Sequence, residues 1–193
     1  MRVFILYLNK ARTDGNFNLD DLPSSGGRID VLCRCTTAAL WLSHALRKDT
    51  KIIGVLNGPP NPPITITIDS NILRGVSPDE RSVASWIKKA LSDVGMRTRS
   101  GIVAERKSFQ DVVREYSNHP IYILHEKGEN IKNCALEGDD FVFILGDHIG
   151  IPRNDERFAE RYARAKISLG PQSYLASSCI TIINWFLDNA NPT

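Results

Sequence analysis

Six apolar residues in unbroken succession, Val3-Phe4-Ile5-Leu6-Tyr7-Leu8, follow Arg2. A run of strand length that never alternates with polar residues predicts a strand covered on both faces. Residues 51–57 (Lys-Ile-Ile-Gly-Val-Leu-Asn) have the same character. Between the two, apolar side chains recur at positions 29, 32, 35, 39, 42 and 46, the three-and-four spacing of an amphipathic helix over 29–46. The chain therefore opens with a β-α-β unit.

The connector 58–63 (Gly-Pro-Pro-Asn-Pro-Pro) continues neither element, because its four prolines remove backbone donors and fix φ. Ile64-Thr-Ile-Thr-Ile68 alternates strictly and reads as a half-exposed strand. Ser77-Pro78-Asp79-Glu80 predicts a capping box with Ser77 as the cap, opening a helix that stops at Gly95. The second half keeps the rhythm, with strands at 102–105, 121–124, 141–145 and 166–169 and helices at 108–116, 155–164 and 174–188. Alternating strands and helices predict an α/β fold, a mostly parallel sheet with helices on both faces. No repeat, low-complexity segment or long linker interrupts the 193 residues, which read as a single domain.

With 42% hydrophobic and 24% charged residues the chain is neither disordered nor fibrous. No apolar run approaches the roughly 18 residues of a membrane span. The first strand is followed by Asn9-Lys10-Ala11-Arg12 rather than a small-residue cleavage site, so a cytoplasmic protein is expected. The four cysteines are expected as thiols. Cys33 and Cys35 fall on one helix, where residues two apart diverge by about 200°, so they do not share an ion and no metal is expected. Charge is unevenly spread: residues 1–51 carry eight Lys or Arg against five Asp or Glu, and 88–107 carry six against two. Residues 126–160 carry four against nine. Basic segments suit a polyanion and an acidic one a cationic ligand, if the fold gathers them.

In an open α/β sheet, ligands bind beyond the carboxyl ends of the strands. Three strand ends here run into glycine, at Leu124-His125-Glu126-Lys127-Gly128, Leu145-Gly146-Asp147-His148 and Leu169-Gly170-Pro171-Gln172. Glycine there lets main chain approach a flat ligand, which points to a nucleotide-like pocket. Neither GxGxxG after the first strand nor GxxxxGK[ST] occurs, so neither a common dinucleotide fold nor a P-loop is supported; GxSxG and HExxH are also absent.

Phe143-Ile-Leu-Gly-Asp-His-Ile-Gly-Ile-Pro152, then Lys166-Ile-Ser-Leu-Gly-Pro171 and Leu175-Ala-Ser-Ser-Cys-Ile180, resemble the SPOUT superfamily of methyltransferases. With Gly26-Gly-Arg-Ile-Asp30, Cys33-Arg-Cys35, Ser43-His44 and Ser77-Pro-Asp-Glu-Arg81, nearly the whole chain is similar to the archaeal tRNA pseudouridine-54 N1-methyltransferases. The resemblance implies a deep trefoil knot over about residues 120–193, S-adenosylmethionine bound by the knotted loops, and a homodimer with the cofactor at its interface. It places the cofactor at Leu124, Gly146, the loop Ile167, Leu169, Gly170, Pro171, Gln172, Ser173 and Tyr174, and Cys179. The implied reaction moves a methyl group to N1 of a pseudouridine in the T-loop of tRNA. Only the carbon-linked isomer of uridine carries an N1–H.

Asp30 is the candidate for assisting loss of that proton or reading the base edge; its other reading is a first-turn carboxylate serving helix amides and the dipole. Arg12, Arg28 and Arg34 are assigned to tRNA, against the reading of solvated surface arginines. Arg97, Arg99, Arg106 and Lys107 form a second basic group without an assigned role. Cys179 is taken as packing beside the cofactor rather than as a nucleophile, and His148 as shaping its loop. Trp41, Trp86 and Trp185 are assigned to core or subunit interface. The alternatives are methylation of a pseudouridine in another RNA such as rRNA, a catalytically silent RNA-binding module of the same fold, and a nucleotide-binding enzyme unrelated to RNA, which would lack a basic rim.

Overall fold

The computed structural model describes residues 1–190 other than 135 and 137. Seven strands form one sheet: β1 (Arg2–Leu8), β2 (Thr50–Leu56), β3 (Ile64–Asp69), β4 (Val103–Glu105), β5 (Ile121–Asn130), β6 (Phe141–Gly146) and β7 (Ala163–Ser168). Their order across the sheet is β4-β3-β2-β1-β6-β5-β7. Pairs β1–β2, β1–β6, β5–β6 and β5–β7 are parallel, whereas β3 and β4 add on antiparallel at one edge. The sheet is mostly parallel, as expected.

Helices cover both faces, which explains the unbroken apolar run of β1. Phe4, Leu6 and Leu8 point to one core, beneath α1 (Leu22–Ser25), α2 (Ile29–Leu40), α3 (Glu80–Ser92) and α6 (Ala176–Ala190). Val3, Ile5 and Tyr7 point to the other, beneath α4 (Phe109–Glu115) and α5 (Arg153–Glu160). Because strand side chains alternate faces, a strand with two apolar coats has no polar position to spare.

Several boundaries differ from the sequence reading. Helix α2 stops at Leu40, not residue 46; Trp41 turns extended and pairs with Leu46 across a tight turn that leaves Leu42 exposed. Arg47, just beyond, is tied to Asp188 of α6 at 2.8 Å, a tertiary contact outside the reach of local periodicity. Asp79, not Ser77, caps α3, accepting from the Ser82 amide at 2.8 Å. The two signatures overlap in sequence, and the Ser77 amide instead donates to Ser82 Oγ. Strand β3 is largely buried rather than half-exposed, since β4 covers its edge and Thr65 is enclosed. Trp185 is exposed, while Trp41 and Trp86 are half-buried. Cys33 and Cys35 are buried thiols, pushed well above the ordinary range by burial. Among the described residues no helix is long and apolar enough to cross a membrane.

Candidate active site

The parallel strands β1, β6, β5 and β7 deliver their carboxyl ends to one side of the sheet, and a cleft of about 660 Å³ lies there. That volume suits a ligand of nucleoside size. Its floor is apolar, from Leu124, Leu145, Ile167 and Leu169; its walls are the loops after β6 and β7 and the first turn of α6.

The loop after β6 is fixed by a side chain from the end of β1. Asn9 donates from its backbone N–H and from Nδ2 to the two carboxylate oxygens of Asp147, both at 2.8 Å, and from Nδ2 to the Gly150 carbonyl at 2.7 Å. Asp147 also accepts from the Ile149 amide at 2.9 Å and is nearly buried. A Cβ on Gly146 would lie 2.7 Å from the Gly150 carbonyl carbon, so the turn closes only over glycine. Asp147 therefore shapes this loop, while His148, given that role from sequence, lines the cleft.

Arg28, Val31 and Arg34, at the start of α2, form the opposite rim. Asp30 sits behind them, buried. It accepts from Arg28 Nε and Nη2 at 3.0 and 3.1 Å and pairs with Arg34 Nη2 at 2.8 Å. Burial alone would raise the Asp30 carboxyl, but the two guanidinium groups outweigh it and hold the group below the usual carboxylate range. Asp30 thus serves arginines rather than helix amides. This arrangement requires an unusual backbone: Gly27 and Arg28 both adopt left-handed conformations, with φ of 62° and 71°. A Cβ on Gly27 would meet the Lys10 carbonyl oxygen at 1.9 Å.

Of the residues the resemblance implies for the cofactor, Leu124, Gly146, Ile167, Leu169, Gly170, Gln172, Ser173, Tyr174 and Cys179 all line the cleft, and Pro171 does not. Burial pushes the Cys179 thiol up to about 11, so it is neutral at ordinary pH. Arg28 and Arg34 reach the rim, whereas Arg12 lies outside the lining with its guanidinium held by Asp14 at 2.8 Å. Sequence reasoning missed Asn9, 138 residues from its partner. The available signal was positional: Asn9 closely follows the end of β1 and Asp147 that of β6, and these strands are neighbours. The acidic segment 126–160 does reach the rim, through Glu126 and Glu156, neither of which sequence reasoning singled out, and Glu126 accepts from Ser173 Oγ at 2.7 Å.

A family model described as "Putative SAM-dependent RNA methyltransferase" matches residues 1–191. The tRNA (pseudouridine(54)-N(1))-methyltransferase of Methanococcus maripaludis (strain C5) is 46% identical over 195 residues, covering 97% of this chain and 98% of the relative. The protein of the same name from Methanocaldococcus jannaschii is 44% identical over 200 residues, with 97% of each chain covered. Among solved structures, Archaeoglobus fulgidus Nep1 bound to S-adenosylhomocysteine matches the fold with a TM-score of 0.71 at 12% identity, over 97% of both chains. The chain belongs to the family of SAM-dependent RNA methyltransferases that includes the archaeal tRNA (pseudouridine(54)-N(1))-methyltransferases.

Proposed function

We propose that this protein methylates N1 of the pseudouridine at position 54 in the T-loop of tRNA, with S-adenosylmethionine as the donor. The observation that carries this reading is the likeness, over almost the entire chain, to relatives named for that reaction. The cleft supports it independently. Its apolar floor and the main chain brought close by Gly146 fit a flat nucleoside, and the carboxylate of Glu126 on the lining complements a positively charged ligand, whereas Glu156 is paired with Lys166 at 2.9 Å. Bound there, S-adenosylmethionine supplies a methyl group activated for displacement by its sulfonium leaving group.

The chain's own residues then have to orient the base and manage one proton. Displacement needs the attacking nitrogen in line with the bond that breaks, so holding the base is much of the catalysis. Arg28 and Arg34 reach the cleft with donors aimed by Asp30, and they stabilise the negative charge that grows on the ring as the N1 proton passes to solvent water. A carboxylate held below its usual range is a weak proton acceptor, so Asp30 acts by aiming these two cations. Cys179, neutral and half-buried, packs beside the ligand.

Three further readings accompany this one. Residues 1–193 form one domain whose segment from about 120 onward is threaded as a trefoil knot. In support, β7 pairs with one side of β5 while β6, earlier in the chain, holds the other, and residues 129–130 return to pair with 167–168 after a break. The protein works as a homodimer, to which the exposed Ile149, Tyr174 and Leu175 near the cleft and Trp185 on α6 offer apolar surface. It acts in the cytoplasm on tRNA and uses no metal.

The test is transfer of labelled methyl to two T-loop stem-loops that differ only in uridine or pseudouridine at the target, with nucleoside mass analysis. Label on pseudouridine alone is expected. Label on both would move the reaction to the ribose or another base atom, and label on neither would contradict the proposed activity on this loop.

A further inference from the structure

We propose that the corner built around the turn at residues 96–101 is a second RNA-binding surface, one that grips the phosphate backbone of tRNA away from the T-loop. It rests on the proposed action on tRNA and adds a separate point of contact. Four cations from three stretches of chain meet there. Arg97 pairs with Val103 in an isolated antiparallel bridge, and the Ile102 carbonyl accepts from both the amide and Oγ1 of Thr98, so the turn carrying Arg97 and Arg99 is fixed. The Arg74 amide donates to the Ser100 carbonyl at 2.9 Å, which brings Arg74 alongside. One residue further, the Gly75 carbonyl accepts from Trp86 Nε1 at 3.2 Å, and Lys89 Nζ lies 4.0 Å from the centre of a Trp86 ring.

Arg74, Lys89, Arg97 and Arg99 are all exposed, and among the described residues none of the four is in an ion pair. Every other arginine in the N-terminal half has an acid beside it: Arg2, Arg12, Arg28, Arg34, Arg47 and Arg81 each do. Asp69, at the end of the strand that leads to Arg74, is taken by Lys51. Structure also divides what looked like one basic group in the sequence. Arg106 and Lys107 follow the opposite end of β4, and Lys107 is already held by Glu105 and Glu115 at 3.2 and 3.1 Å.

Exposed cations without ion pairs, carried on a fixed turn and the stretches beside it, suit a polyanion, and guanidinium groups favour phosphate. Its position defines the part of the ligand it meets. Strand β4 is the edge opposite β7, four strand spacings or roughly 20 Å across the sheet from β6, and the corner lies toward the amino ends of the parallel strands, where Asp69 pairs with Lys51 at the start of β2, whereas the cleft lies at their carboxyl ends. RNA that enters the cleft and also touches this corner must extend well beyond a single loop. The surface therefore recognises an intact tRNA over an isolated T-arm by shape and charge, without reading sequence.

The experiment measures binding of full-length tRNA and of an isolated T-arm stem-loop across a salt series, for wild type, Arg97→Gln plus Arg99→Gln, and Arg97→Lys plus Arg99→Lys. The glutamine pair is expected to weaken full-length tRNA about tenfold near physiological salt, to lower the slope of log affinity against log salt by about 1.5, and to leave the T-arm unchanged. The lysine pair should stay close to wild type. Unchanged affinity and slope for full-length tRNA, or an equal loss on the T-arm, would overturn the proposal. If the glutamine pair lowers the thermal midpoint, Arg74→Gln, outside the turn, replaces it, with about a threefold loss on full-length tRNA alone expected and no loss overturning. A wild type that binds tRNA in this way yet methylates no pseudouridine would sink the proposed function and leave this surface standing.

Discussion

Helices α2 and α4 start in opposite ways. At α4, Ser108 is an ordinary extended cap; its Oγ accepts from the Asp111 amide at 3.2 Å and the Asp111 carboxylate accepts from the Ser108 amide at 3.0 Å. Each orphan donor is satisfied locally, and the pair touches nothing in the cleft. At α2 the cap is Arg28, left-handed, with no side-chain cap bond, preceded by a second left-handed residue. Its first-turn acid, Asp30, turns away from the helix amides to two arginines at the rim of the cleft. The first start serves the helix; the second sets two arginines at the rim of the cleft. A backbone conformation that costs on the order of 1–2 kcal/mol for a side chain with a Cβ persists where it aims something.

That contrast is open to attack by substitution. Gly27→Ala should be most damaging, because a Cβ would strike the Lys10 carbonyl in a left-handed residue; a loss of at least about 3 kcal/mol is expected in urea unfolding. Asp30→Ala should cut methyl transfer roughly a hundredfold, by releasing both arginines. Its cost in stability should be only about 1–2 kcal/mol, because both guanidinium groups are more than a third exposed and water takes over part of the pairing. Ser108→Ala should do the reverse, costing about 1 kcal/mol with methyl transfer unchanged. The smallest effect concerns pH. The folded Asp30 carboxyl lies below its unfolded value, so its pairing is complete above the ordinary carboxylate range and is lost only as pH falls through the lowered value. The pH–rate profile should therefore show no Asp30 inflection between about pH 5 and 8, which comparison with Asp30→Asn checks; an inflection there that the variant abolishes would mean that Asp30 is a proton acceptor with a raised value.

The same contrast explains how much was legible in the sequence. Strands β1 and β2, the proline connector and the Ser108 start are set by neighbours along the chain, and periodicity or cap chemistry reveals them. The resemblance to a family led to the loops at 124, 146 and 167–174, because glycine-rich strand ends are contiguous in sequence. What escaped is long-range. The Asn9–Asp147 bond spans 138 residues, and Glu126 reaches Ser173 across 47. Helix α2 ends at Leu40, and beyond it Arg47 pairs with Asp188 of α6, a contact that no window around residue 41 contains. The Asp30 pairing is short-range and was still hidden, since it depends on Arg28 adopting a conformation that its residue type disfavours. Local rules fail at this point because tertiary structure holds the chain against them.

The most direct test is Arg28→Gly, assayed for methyl transfer to a pseudouridine T-loop and, on the same preparation, for unfolding free energy. Glycine accepts the left-handed conformation freely, which offsets the lost pairing with Asp30 and should leave stability within about 1 kcal/mol of wild type. Transfer should nevertheless fall roughly a hundredfold. Wild-type transfer by this variant would contradict the claim that the strained start of α2 exists to aim an arginine into the active site.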